Sequence, residues 1–179
     1  MTTAFPPAAI AAARDAAKAH LRIAGDGEDA LIARHAAAAL ELCEAFTGRA
    51  TLIRDRSDMV AGSGWQRLAG APVVAITGVV RIADDGSAVP LANDGYAIDI
   101  DAAGEGRVRI ARPGGDRFAV DYSAGVAASW EALPPALAQG VVVLIAHLFE
   151  ARSVSAPPAA VSALWRPWRR MTLGVEARA

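Results

Sequence analysis

The feature that most constrains this chain is a change of texture at Gly48, reversed at Pro135. Before Gly48, alanine-rich stretches carry apolar residues at helical spacing. Between Gly48 and Pro135, short runs alternate apolar and polar residues, with turn signals about every ten residues, as antiparallel strands do. Beyond Pro135 the helical spacing returns. One element type cannot satisfy both periods. The sequence therefore predicts an α+β fold: a small helical core of about three helices, an inserted antiparallel β-module and an extended C-terminal tail. The expected divisions are 1–48 and 126–152 for the helical core, 49–125 for the β-module and 153–179 for the C-terminal arm.

Helices are expected over 8–22, 27–47 and 135–152. Pro6-Pro7 suits a helix start, and Gly25-Asp26-Gly27 breaks the first helix. Asp26 is placed to cap the second and Gly48 to end it. Leu31, Ala38, Leu42 and Phe46, widened by Ile32, Leu40 and Cys43, form its expected buried face, with Arg34, Glu41 and Glu44 opposite. In the third helix Leu137, Val141, Leu144 and Leu148 make the core stripe, and Gln139, Val143, His147 and Glu150 a more polar flank. The strand-like runs are 51–54, 73–82, 96–100, 107–110 and 118–122, read as a meander.

A length of 179 residues is enough for a real core, and 54% hydrophobic residues are too many for a disordered chain. A net charge of −1 lacks the basic excess of a dedicated duplex-DNA binder. Cys43 is the single cysteine, so no disulfide forms within the chain, which suits a reducing cytosol. Residues 1–7 show no secretory signal, and the apolar run Val141–Ala146 is too short to span a bilayer.

Chemistry is sparse. His20, His35 and His147 fall on three different helices, and no His/Cys/Glu spacing matches a zinc site. Glu150 lies one helical turn after His147, but a lone pair reads as a surface or interface hydrogen bond. Cys43 reads as a small core residue, Gly62-Ser63-Gly64-Trp65 as a flexible loop without the setting of a nucleophile elbow. Asp84, Asp85, Asp99 and Asp101 read as solvated turn and strand acids. No phosphate loop or dinucleotide fingerprint is present. No catalytic residue, metal site or cofactor is expected.

The tail carries more. Leu164, Trp165, Arg166, Trp168, Arg169, Arg170 and Met171 combine the residue types enriched at interface anchors. Three readings stay open: docking on a partner protein, packing on the chain's own domain, and phosphate contacts. Pro157-Pro158 favours an extended path away from the third helix. Docking on a partner makes 159–173 mobile in the free subunit.

Several stretches together resemble one family, the head–tail connector (adaptor) proteins of tailed phages and gene transfer agents, in its longer members with a β insertion. Lys18–Ile23 followed by Asp26–Ile32 resembles the family's opening, and Glu44–Arg49 the end of its second helix. Pro72–Val79 through Val120–Gly125 resembles the insertion. Leu133–Leu137 and Ala146–Arg152 resemble the third helix, and Val161–Met171 the basic aromatic tail. The resemblance implies a structural, non-enzymatic subunit of a homo-oligomeric, typically dodecameric, ring in the neck of a phage-like particle, assembled in the bacterial cytoplasm. Its implied partners are the portal, the stopper or tail-terminator proteins, and DNA passing through without sequence-specific binding; no membrane is implied. The tail residues above become the expected portal contact, and His147, Glu150 and Arg152 the expected subunit contact. The alternative is a DNA-binding or packaging accessory protein of a prophage, motivated by the tail arginines.

Overall fold

Pro6 and Pro7 preset the backbone for a helix, and α1 runs Pro7–Leu21, its first turn closed on the Pro6 carbonyl. It ends where Arg22 takes a left-handed φ of 60° and the Ile23 amide returns to the Lys18 carbonyl. The computed structural model describes residues 4–83, 85–113, 116–150 and 156–170. Among them follow α2 (Asp29–Thr47), β1 (Arg54–Ala61), β2 (Gln66–Arg67), β3 (Val73–Ile82), β4 (Ala88–Pro90), β5 (Tyr96–Ile100), β6 (Gly106–Ile110), β7 (Arg117–Ala124), α3 (Pro135–Glu150) and α4 (Ala159–Trp165). The fold is α+β with antiparallel sheets. No helix among the described residues is long and apolar enough to cross a membrane.

The chain divides into two compact units: Met1–Ala12 with Ala50–Pro134, and Ala13–Arg49 with Pro135–Ala179. In the first, four strands form a sheet in the order β1-β7-β3-β4 and three form a second, β2-β6-β5. The expected meander is corrected here. β7 is the most deeply buried strand, with Phe118, Val120 and Tyr122 enclosed, and burial draws it to the middle of its sheet. There it pairs with β1 from Arg54↔Ala124 to Ala61↔Arg117, and with β3 on its other side. Both sheets contribute to one core, Val60, Val79, Phe118 and Val120 from the first and Val108 and Ile110 from the second.

Two polar devices fix this unit. The buried Tyr122 hydroxyl accepts the Gly70 amide at 2.9 Å and donates to the Asp58 carboxylate at 2.8 Å, and Asp58 also accepts the Ala69 amide. Burial, chiefly, pushes the phenol up to about 12. Ahead of β1, residues 50–53 and 125–127 run side by side. Val126 donates to the Ala50 carbonyl, Ala127 to Thr51 and Ile53 to Ala127. The expected strand at 51–54 is thus an isolated bridge, Leu52↔Ala127, and the strand proper starts at Arg54. Arg54 lies buried with its guanidinium over the Phe5 ring at 3.9 Å, a cation–π contact. The turn acids serve the backbone: Asp85 accepts the Ser87 amide, Asp101 those of Ala103 and Glu105. The Ser87 hydroxyl, first, and its amide hold the Asp85 carboxyl below the ordinary carboxylate value, and the Glu105 amide, first, does the same for Asp101. Asp84 lies outside the described residues.

In the helical unit α2 buries Ile32, Ala36, Ala39, Leu40, Cys43 and Thr47. That face is rotated from the expected stripe: alanines let neighbouring elements approach closely, while Leu42 stays 47% exposed. Asp26 gives no side-chain cap; its carbonyl accepts the Asp29 amide instead. Asp29 pairs with Lys18 and, at 3.3 Å, with Arg14, and the Lys18 hydrogen bond holds its carboxyl below the usual range. Gly48 ends α2 at φ 66°, its amide on the Glu44 carbonyl. α3 buries Leu137, Gly140, Val141, Val142, Leu144, Ile145 and Ala146, whereas Leu148 is half-buried.

Candidate docking surface

Seven residues make α4, too few to hold a helix by propensity alone. Packing inside the helical unit holds it. Pro158, extended at φ −56° and ψ 138°, sets the start. Val161 and Trp165, four apart and so on one face, are then buried. The Trp165 indole lies on α3 at Gly140, where a β-carbon would stand 2.1 Å from Nε1. Its N–H donates to the Leu137 carbonyl at 3.2 Å, and its ring meets Phe46 of α2 at 5.9 Å. Pro167 then stops the α-helix, and a 3-10 turn covers Arg166–Trp168.

The chain next crosses the C-terminal end of α2. Arg170 donates its amide to the Thr47 carbonyl at 2.7 Å, satisfying one of the acceptors a helix end leaves open. Arg49 Nε donates to the Trp168 carbonyl at 3.0 Å, and the Arg169 guanidinium lies over the Phe46 ring at 5.9 Å. Arg49, Arg169 and Arg170 therefore gather at the end of α2, where the helix dipole is negative. Beside them opens an apolar cleft of about 370 Å³, lined by Leu42, Phe46, Leu144, Pro158, Val161 and Trp165 among others.

The expected tail contact is thus divided. Trp165 is 3% exposed and belongs to the chain's own core, which corrects its reading as a free anchor. Within the expected tail segment 159–173, residues 159–168 fold as α4 and the following turn. Leu164, Trp168 and Arg170 are half-buried, and Arg166 and Arg169 are exposed. Met171 lies outside the described residues. Of the expected subunit contact, His147 is half-buried and Glu150 exposed, while Arg152 lies outside the described residues.

Two features went unread in the sequence: Gly140 as the seat of Trp165, and Arg49 as a member of the arginine cluster. Gly140 carried a signal, since a glycine within a helix costs about 1 kcal/mol against alanine and calls for a packing reason. Burial, first, and Glu44, second, push the Cys43 thiol up to about 12, and it lies in the buried face of α2. No group of three or more His, Cys, Asp or Glu side chains among the described residues is placed to hold a metal ion.

The fold is shared, end to end, with chains of solved gene transfer agent particles. A chain in the neck of an empty gene transfer agent particle, computed with C6 symmetry, matches it with a TM-score of 0.81 and 27% identity, covering 99% of this chain and 100% of the other. A chain in the virion of a native gene transfer agent particle matches at TM-score 0.77 and 28% identity over 98% of both. A third, from the neck of the native particle computed with C12 symmetry, matches at 0.74 and 28% identity over 99% of this chain and all of the other. No protein-family model and no curated protein matches the chain.

Proposed function

We propose that this chain is a head–tail adaptor that forms a ring beneath the portal of a phage-like particle, extends its DNA channel and carries the stopper or tail. The observation that supports this most is the likeness at TM-score 0.81 and 27% identity, end to end, to a chain in the neck of a gene transfer agent particle. The C6 and C12 symmetries of the related necks fit a ring. A subunit of net charge −1 suits a channel through which the duplex slides without being gripped.

Within that role the exposed Arg166 and Arg169, with the half-buried Leu164, Trp168 and Arg170, form the portal contact. His147 and Glu150 contribute to the contact between subunits. Because Arg166 and Arg169 project from the subunit, Arg166→Glu with Arg169→Glu should leave the melting temperature within about 2 °C, as surface substitutions do. Placing like charge at a charge-paired rim should weaken portal capture at least tenfold, about 1.4 kcal/mol. Unchanged capture in a pull-down with purified portal removes these arginines from the contact.

A second reading is favoured by the arginine cluster of Arg49, Arg169 and Arg170, with Arg166 exposed on the preceding turn: a DNA-binding or packaging accessory. It requires tight duplex binding by the isolated chain, falling steeply with salt in a fluorescence titration. Weak, salt-insensitive binding speaks for the adaptor.

A further inference from the structure

The apolar cleft of the helical unit is open on its α2 side. Leu144, Val161 and Trp165 line it and are buried, whereas Leu42 is 47% exposed and Ala45 is exposed beside it. Leu42, Ala45 and Phe46 stand three and four residues apart, so they share one face of α2. The lining offers a polar ligand little. Its one hydroxyl, Ser162, donates to the Ala159 carbonyl at 2.9 Å, and the Trp165 N–H is spent on Leu137. The occupant this chemistry selects is apolar.

The chain leaves its described residues at the rim of this cleft. The Arg169 guanidinium lies over the Phe46 ring, and the Arg170 amide is held on the carbonyl of Thr47, the next residue along α2. Residues 171–179 follow. Among them Met171, Leu173 and Val175 alternate with Thr172, Gly174 and Glu176. In an extended path the three apolar side chains project to one side. From Thr47 back to Leu42 is about 7.5 Å along the helix axis. Five extended residues span about 17 Å, so 171–175 reach the length of the opening. The attachment also decides between occupants. A segment joined to the rim without a spacer meets the cleft at an effective concentration of about millimolar or more. A separate copy or another protein has no such advantage.

We propose that residues 171–175 fold back over this cleft in the same chain, placing Met171, Leu173 and Val175 against Leu42, Ala45 and Phe46. Every lining residue belongs to the helical unit, so the contact forms within one chain, with or without a ring. Methyl NMR on the full chain, isotope-labelled at methionine, leucine and valine, tests it. Nuclear Overhauser contacts are expected from the Leu173 methyls to those of Leu42 and Val161. Removing 171–179 should shift the Leu42 methyl resonances and raise the fluorescence of an added apolar dye severalfold. Met171→Ser with Leu173→Ser and Val175→Ser should do the same at full length, and Thr172→Ser with Glu176→Gln should do neither. Absence of the Leu173–Leu42 contact overturns the proposal. So do contacts seen only between labelled and unlabelled chains, which give the cleft to a second copy. Leu42 resonances that ignore the truncation and move when portal is added overturn it too, and give the cleft to that partner.

Discussion

Trp165→Ala is expected to lower the melting temperature steeply, while Trp168→Ala shifts it by less than half as much. Trp165 is 3% exposed, its indole N–H is spent on the Leu137 carbonyl, and its ring fills the space left by Gly140 against Phe46. Truncating a buried tryptophan costs roughly 3–5 kcal/mol, from lost transfer energy and the cavity left behind. For a chain of this size each kcal/mol is worth about 2–4 °C, so the drop should be on the order of 6–20 °C in a calorimetric melt. Trp168 is half-buried, and its recorded hydrogen bond, accepted from Arg49, uses its backbone carbonyl, which alanine keeps. Gly140→Ala reaches the same contact from the other side, placing a methyl 2.1 Å from Nε1. A Trp165→Ala variant melting within about 2 °C of the parent would return this tryptophan to the surface.

Gly125→Ala should be the most damaging single-methyl change in the β unit. An added β-carbon would lie 2.3 Å from the Ile53 nitrogen and the Leu52 carbonyl carbon and 2.4 Å from the Leu52 oxygen. These are backbone atoms, fixed by hydrogen bonds from Val126 to Ala50, Ala127 to Thr51 and Ile53 to Ala127. No side chain can swing away to make room. Relief requires separating 50–53 from 125–127, so the cost should reach or exceed the top of the usual overpacking range of about 1–3 kcal/mol. Gly27→Ala is the control, since nothing lies within 4 Å of its β-carbon position. Equal melting temperatures for the Gly125 and Gly27 variants would mean that the two segments do not meet as described.

Much of the fold was legible because the period of the chain changes where the elements change. Gly48 with its positive φ and Pro135 at the first position of α3 mark the transitions, and the runs at 73–82 and 96–100 are strands over the residues expected. β1 was unreadable beyond Arg54 because Arg54-Asp55-Arg56-Ser57-Asp58 looks like a solvated loop. It is a strand because β7 supplies its ladder, and sequence periodicity does not carry that long-range pairing. The buried face of α2 was misjudged by weighting leucine over alanine: Ala36 and Ala39 are enclosed and Leu42 is not. In the tail, the helical spacing of Leu164, Trp165 and Trp168, broken by Pro167, reads as a short helix or turn ending near Arg166, as found; what the sequence did not show is the seat at Gly140 that holds α4 on α3, because Pro157 and Pro158 read as a path leading away. What remained legible there was its exposed part, Arg166 and Arg169.

The adaptor role is tested most directly by the mass and symmetry of the complex this chain forms when co-expressed with the portal of its particle. Native mass spectrometry with electron microscopy should show this chain in many identical copies around the portal axis, in a ring with the C6 or C12 order of the related necks. Recovery of the chain only as a free monomer, from preparations in which the other neck proteins assemble without it, would contradict the role.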